Sequence, residues 1–432
     1  MDLTLATRKG RRRTIRLPIE IMDFILDNVD DFSPIIKPNL IACSLVSREW
    51  RQTVLPHLFR ELTFTHRDYM SASPEENEDS TYEWADPKDI FSSFLSFLHS
   101  PPNVGNYIRQ LCLGRYLQFL DAAADRERDA ECDPIVLLDI LCMLPKLCVL
   151  ELHGVLFRPD AVLPAWDATS LINLNSLTLS LPGRETDANT TTHLIDLLKY
   201  FGQVKELHLK DIVEHDAPAV AAHRTLSLSH LRIQSLHFQE APCVVSSLLE
   251  YIGFPRHSTY LTTPLESLIV EPLRGKDLAT LQNGQELLVL DLTPCTNIRS
   301  LAIKCSNEFP VPVAQQLKAI DRISSMLILM ANSSASLSIE TVTLTIEAHI
   351  SDETDALLKM AFTHLSPIER ALVQLGVLVN VHIIICTNPF FDNFNFHDQP
   401  DEQIKMVTDS LFPELHERSK LKAVRMSQNS WF

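Results

Sequence analysis

Short segments in which apolar residues alternate with other residues return along this chain at near-regular intervals. They are Leu111-Cys112-Leu113, Leu150-Glu151-Leu152, Leu177-Thr178-Leu179, Leu207-His208-Leu209, Leu236-His237-Phe238, Leu268-Ile269-Val270, Leu301-Ala302-Ile303 and Val342-Thr343-Leu344. Alternation of this kind puts two apolar side chains on one face of a strand and the residue between them on the other. From Leu150 to Leu301 the interval is roughly 27 to 33 residues, enough for one strand, one helix and two turns. A further apolar anchor stands three residues upstream of most segments: Leu147, Leu174, Val204, Leu265 and Ile298. Helical candidates occupy the intervals at 134–144, 193–201, 244–251, 276–288, 313–330 and from 355 to 365 or beyond. A thirty-residue unit of this kind cannot bury its own apolar faces, whereas a stack of such units shares one continuous core. The pattern therefore predicts an α/β chain wound into a curved solenoid. Its concave side would carry the in-between residues Glu151, Thr178, His208, Lys210, His237, Gln239 and Glu271. A doubly wound α/β domain also alternates strands with helices and stays open as a second reading.

Ahead of the array, residues 15–64 read as a compact helical module. Pro18 suits a first helical turn, which does not need its N–H, and Glu20 sits where the helix dipole favours a carboxylate. Ile21, Ile25 and Val29, with Met22 and Leu26 beside them, form an apolar stripe at helical spacing. Pro34 and Pro38 interrupt the chain. Asn39 is placed to cap a second helix through Leu40, Ile41, Ala42, Leu45 and Val46. Ser47 is placed to cap a third, which carries Trp50 and runs to Val54 and Leu55 before Pro56. Three short helices bury too little surface to stand alone, so the module calls for a partner or a neighbouring domain. Read without any likeness, it would be the helical cap of a larger domain.

The order Leu17-Pro18, Glu20-Ile21, Ile25, then Ala42-Cys43, Leu45-Val46-Ser47 and Trp50 closely resembles the F-box. The continuation Leu58-Phe59-Arg60-Glu61-Leu62-Thr63-Phe64 resembles F-box-like proteins of mushroom-forming fungi. This resemblance implies docking on the Skp-type adaptor of an SCF-type cullin ubiquitin ligase, through Leu17, Pro18, Ile21, Ile25, Val46 and Trp50. One departure is the segment from Asp30 to Asn39, which lengthens the first connection. The array is similar to the leucine-rich-repeat-like C-terminal part of F-box proteins, its upstream anchors matching the start of an LxxLxL signature. The asparagine or cysteine that closes a regular repeat is largely missing. The stretch from Leu290 to Ile303, and Leu411 to Leu415 with Arg418, Leu421 and Val424, carry the same likeness.

Charge and composition narrow the function further. Lys and Arg total 38 against 55 Asp and Glu, a net charge of −17, which argues against partners such as nucleic acid or anionic membrane. No apolar run reaches the length of a membrane span, and the start lacks the apolar core of a secretory signal. The nine cysteines show no CxxC pairing. Cys112, Cys142, Cys148, Cys305 and Cys386 lie within apolar patterns and read as small buried hydrophobes of a reducing compartment, the cytosol or nucleus. Neither GxGxxG nor GxxxxGK[ST] occurs among only 10 glycines, and GxSxG and HExxH are missing too. The local pairs His193 with Asp196, His215 with Asp216 and His397 with Asp398 read as solvated or capping groups, and Cys43 and Cys295 lack an electropositive setting. No catalytic, metal-ligating or cofactor-binding residue is therefore predicted.

The expected organisation is a basic tail at 1–14, an F-box-like helical domain at 15–60 and a solenoid at 61–432, with loops near 67–88 and 121–133. The basic tail reads first as solvated, with a nuclear import signal or a phosphate-binding arm as the alternatives. The aromatic stretch 388–397, with Phe390, Phe391 and Phe394, either anchors a partner or seals the end of the array. The strongest target-binding candidates are these phenylalanines together with His208, Lys210, His237 and Gln239. The function expected is a substrate-recognition adaptor of an SCF-type ligase that captures an unknown protein target. A scaffold acting outside the ligase and an α/β enzyme are the alternatives.

Overall fold

A computed structural model of the chain describes residues 17–28, 37–66, 90–101, 103–115, 130–157, 171–180, 190–210, 228, 230–239, 265–271, 298–305, 313–332, 339–349, 354–387 and 412–430. The expected helices at 244–251 and 276–288, the basic tail, the loop 67–88 and the aromatic stretch 388–397 lie outside the described residues.

The alternating segments are all strands. β1 (Glu61–His66), β2 (Gln110–Arg115), β4 (Val149–His153), β6 (Ile172–Ser180), β7 (Phe201–Lys210) and β8 (Arg232–Gln239) are followed by β9 (Ser267–Glu271), β10 (Ser300–Cys305), β11 (Thr341–His349), β12 (Leu378–Thr387) and β13 (Leu421–Ser430). They form one 11-stranded sheet in the order β1-β2-β4-β6-β7-β8-β9-β10-β11-β12-β13, every neighbouring pair parallel. The order never reverses. A doubly wound sheet reverses at a switch point and opens a crevice there, so this α/β fold is solenoid-like. Two shorter strands, β3 (Ala130–Cys132) and β5 (Val155–Phe157), pair beside it, so the far end of the expected loop 121–133 is structured.

Parallel neighbours need a crossover, and described helices fill several of them. α4 (Ile90–His99) lies between β1 and β2, α5 (Pro134–Cys142) between β3 and β4, and α6 (Thr190–Leu198) between β6 and β7. α7 (Val313–Asn332), α8 (Thr354–Leu375) and the short α9 (Pro413–Glu417) precede β11, β12 and β13. The leucines of each alternation point to the helix side. Leu150, Leu177, Leu207, Leu236, Leu268 and Leu301 are all fully buried in one core with Leu137 of α5, Leu194 of α6, Leu327 of α7 and Leu372 of α8. Each such side chain contributes roughly 1.5–3 kcal/mol of burial. The upstream anchors Leu147, Leu174, Val204, Leu265 and Ile298 belong to the same core.

Strand entry is repeated too. The carbonyl of Arg60 accepts from both Arg109 N and Gln110 N, that of Arg109 from Cys148 N and Val149 N, and that of Arg299 from Glu340 N and Thr341 N. One oxygen therefore fixes the register at the entry to β2, β4 and β11. At the start of the sheet Phe64 meets Phe94 at 5.2 Å and Phe59 meets Phe97 at 6.2 Å, so α4 closes the core beneath β1.

The N-terminal module consists of α1 (Ile19–Asp27), α2 (Pro38–Ser44) and α3 (Arg48–Leu58). They enclose a small separate core of Leu26, Leu40 and Val54, with Cys43, Trp50 and Leu58 packed against it. Ser47 caps α3 as expected, its hydroxyl accepting from Trp50 N at 3.1 Å. Two expectations are corrected. Asn39 does not cap α2: the helix starts at Pro38, whose fixed φ suits the first position. Pro56 does not stop α3 but lies in its last turn, where the missing N–H costs a single bond, and the helix ends at Leu58.

Candidate functional site

Two surfaces stand out, one on the helical module and one on the sheet. α1 has one acidic side, Glu20, Asp23 and Asp27, and is apolar elsewhere: Met22 and Leu26 are buried, while Ile19, Ile21, Phe24 and Ile25 are exposed. A helix of this kind needs apolar neighbours on two sides. The module covers only one, leaving Leu17 45%, Ile21 46%, Ile25 39% and Phe24 68% exposed. Ile41 of α2 and the turn residues Leu45 and Val46 are exposed as well. Of the residues anticipated for adaptor binding, Leu17, Pro18, Ile21, Ile25 and Val46 are on the surface. Trp50 is turned onto the small core and stiffens the module from within. Ile19, Phe24 and Leu45 are exposed on the same module but are not among the anticipated residues; the apolar residues at 19, 21, 24 and 25 of one short helix are the signal for the first two.

Polar contacts hold this face in place. His57 of α3 meets Asp23 at 3.3 Å and Asp27 at 3.4 Å, fastening α1 to α3. The Lys37 ammonium donates to the carbonyls of His57, Leu58 and Glu61 at 3.2–3.3 Å. It thus offsets the negative end of α3 and ties the start of α2 to β1.

Residues 15–61 match the family of the F-box domain. The N-terminal helices are an F-box domain. No curated protein matches the chain. F-box domains bind Skp-type adaptors and serve in the adaptors of SCF-type ubiquitin ligases, generally without catalysis of their own.

The second surface is the face of the sheet away from the leucines. Register aligns Cys112, Glu151, Thr178, His208 and His237 as a row across β2, β4, β6, β7 and β8. His208 Nδ1 and His237 Nδ1 are 3.1 Å apart, so one donates and the other accepts. Burial first, then His237 and Lys210, holds the His208 imidazolium below its ordinary pKa. Glu206 approaches His208 Nε2 at 3.7 Å. On β4, Glu151 Oε2 lies 3.1 Å from His153 Nε2, and this hydrogen bond is the main reason the carboxyl titrates below its usual range. Burial, aided by Glu151, pushes the Cys112 thiol up to about 12.

His208, Lys210 and His237 are thus brought onto one face, each half-buried. Gln239 ends the same strand as His237, but its side chain, like that of Glu271, is outside the described residues. Phe390, Phe391 and Phe394 are outside them altogether. The cysteines depart from expectation: Cys112 and Cys148 are half-buried, and Cys142, on the last turn of α5, is exposed. Cys112 lies between Leu111 and Leu113, and strand alternation turns it away from the core those leucines fill. Among Cys43, Cys112, Cys132, Cys142 and Cys148, only Cys132 is fully buried. Among the described residues no helix is long and apolar enough to cross a membrane.

Proposed function

We propose that the chain is the target-recognition subunit of an SCF-type cullin ubiquitin ligase, its F-box holding a Skp-type adaptor and its sheet face receiving a protein target. In this reading residues 15–60 are the handle and residues 61–432 the recognition unit. Ubiquitin transfer takes place on other subunits, and the protein acts in the cytosol or nucleus, where the free thiols of Cys43, Cys112 and Cys142 remain reduced.

The observation that carries the reading is the uncovered apolar face of Leu17, Ile21, Phe24 and Ile25 on an F-box domain. Apolar side chains clustered at this density are efficient hot spots once a partner dehydrates them. The register-aligned polar row on β2 to β8 supports the second half of the reading, because rigid strands hold such side chains at fixed spacing for a protein surface.

The combined variant Leu17→Ala, Pro18→Ala and Ile21→Ala tests it in a pull-down with the adaptor. All three residues are exposed, so the helical circular dichroism should stay unchanged while adaptor affinity falls by about 100-fold or more. Undiminished binding by a folded variant would overturn the proposal.

A further inference from the structure

One cluster on the sheet face contains three different metal-ligating side chains. Cys112 on β2 is the register partner of Glu151 on β4, and His153 lies two residues further along β4, on the same face. One ligand atom from each, the Cys112 Sγ, a Glu151 carboxylate oxygen and a His153 ring nitrogen, lies within 4.8 Å of the other two. A tetrahedral ion with bonds of about 2.0–2.3 Å brings its ligand atoms to about 3.3–3.8 Å of one another. The Glu151–His153 pair is already at 3.1 Å, so small side-chain rotations suffice to close the set.

The backbone favours this convergence. Gly114 stands opposite His153 in the register, with φ +123°. A Cβ there would lie 1.9 Å from the His153 carbonyl oxygen, so the two strands meet at a separation only glycine allows. No β2 side chain stands across from His153 at that level. All three residues are half-buried, accessible to an entering ion yet partly withdrawn from water.

Binding would transfer the thiol proton to solvent and form an S–metal bond, with no change of oxidation state. A donor set of one sulfur, one nitrogen and one oxygen selects zinc-like ions over magnesium or calcium, which take oxygen ligands.

We propose that Cys112, Glu151 and His153 form a binding site for one zinc-type divalent ion on the sheet face, with the fourth position open to water or to a side chain of a bound protein. The site stands independently of the ligase reading.

The test is titration of the full-length protein with Co(II) in a non-chelating reductant, followed by displacement with Zn(II). One equivalent should give a thiolate-to-cobalt charge-transfer absorption in the near ultraviolet, lost in Cys112→Ser. Affinity should fall at least about tenfold in His153→Ala and less in Glu151→Gln. Zn(II) should raise the melting temperature of the wild type and not of His153→Ala, a readout that decides the matter should Cys112→Ser fail to fold. No thiolate band in the wild type, or a band of full strength in Cys112→Ser from another of the nine cysteines, would overturn the proposal.

Discussion

Glu369 on α8 is 5% exposed, and its carboxylate accepts from Leu415 N at 3.0 Å, clamping α9 and the entry to β13 onto the body of the sheet. Burial, reinforced by Glu414 and Glu417 and opposed by the backbone hydrogen bonds, raises its pKa above the ordinary value. A raised folded-state pKa means that the native protein retains its proton longer than the unfolded chain. This contribution to stability is therefore fully present below the unfolded pKa and lost as pH rises through the folded one. Glu369→Gln retains an acceptor for Leu415 N without the charge. Melting temperatures of the two proteins should be close at about pH 4 and diverge in favour of Glu369→Gln toward neutrality. A difference independent of pH would refute this account. Some residue roles are legible in the sequence: Ser47 reads as a cap because its hydroxyl acts within three positions. Cys112, Glu151 and His153 are not legible as a group, since only the β2–β4 register joins them.

The strands are readable because a period of two leaves its mark on neighbouring residues, and every alternating segment is found as a strand in the sheet. Helix ends are less so. Pro56 has the look of a stop yet lies inside α3, since a proline in the last turn forfeits only one bond. Strand β3 hides within an acidic stretch with the character of a loop, because its stability comes from pairing with β5. Gly114 at the end of β2 gives this scale its prediction. Its positive φ, and the 1.9 Å that would separate a Cβ there from His153 O, leave no room for a side chain. Gly114→Ala should destabilise the β2–β4 pair by about 1–3 kcal/mol, seen as a lower denaturation midpoint and faster hydrogen exchange at Leu152 and His153. Gly376 also has positive φ, at +69°, but open space around its Cβ position. Gly376→Ala should therefore cost less than Gly114→Ala, and the reverse order would contradict the role of close strand approach.

Sequential strand order makes the whole molecule quasi-one-dimensional: each strand of the sheet pairs only with the units before and after it. The repeat interval foreshadows this, since units of near-equal length with the same anchor stack most simply on their neighbours. What it leaves open is whether the order runs straight through, a property of long-range pairing that local alternation does not encode. In such an array stability is approximately a sum of unit and interface contributions, so a defect spreads through neighbours before it reaches the ends. Leu207 in β7 is fully buried near the middle of the sheet, and Leu207→Ala should cost about 2–5 kcal/mol locally. The core of Leu26, Leu40 and Val54 in the F-box is separate from the core that contains Leu207. Hydrogen exchange in the variant should therefore accelerate in β6, β7 and β8, while the amides of α1 and α3 keep wild-type protection. On the proposed reading, adaptor capture should likewise persist at wild-type affinity, because Leu17, Ile21 and Ile25 are held by contacts within the module, the small core and the His57 contacts to Asp23 and Asp27. Equal loss of protection in α3 and β7 would show instead that the handle and the sheet unfold as one cooperative body.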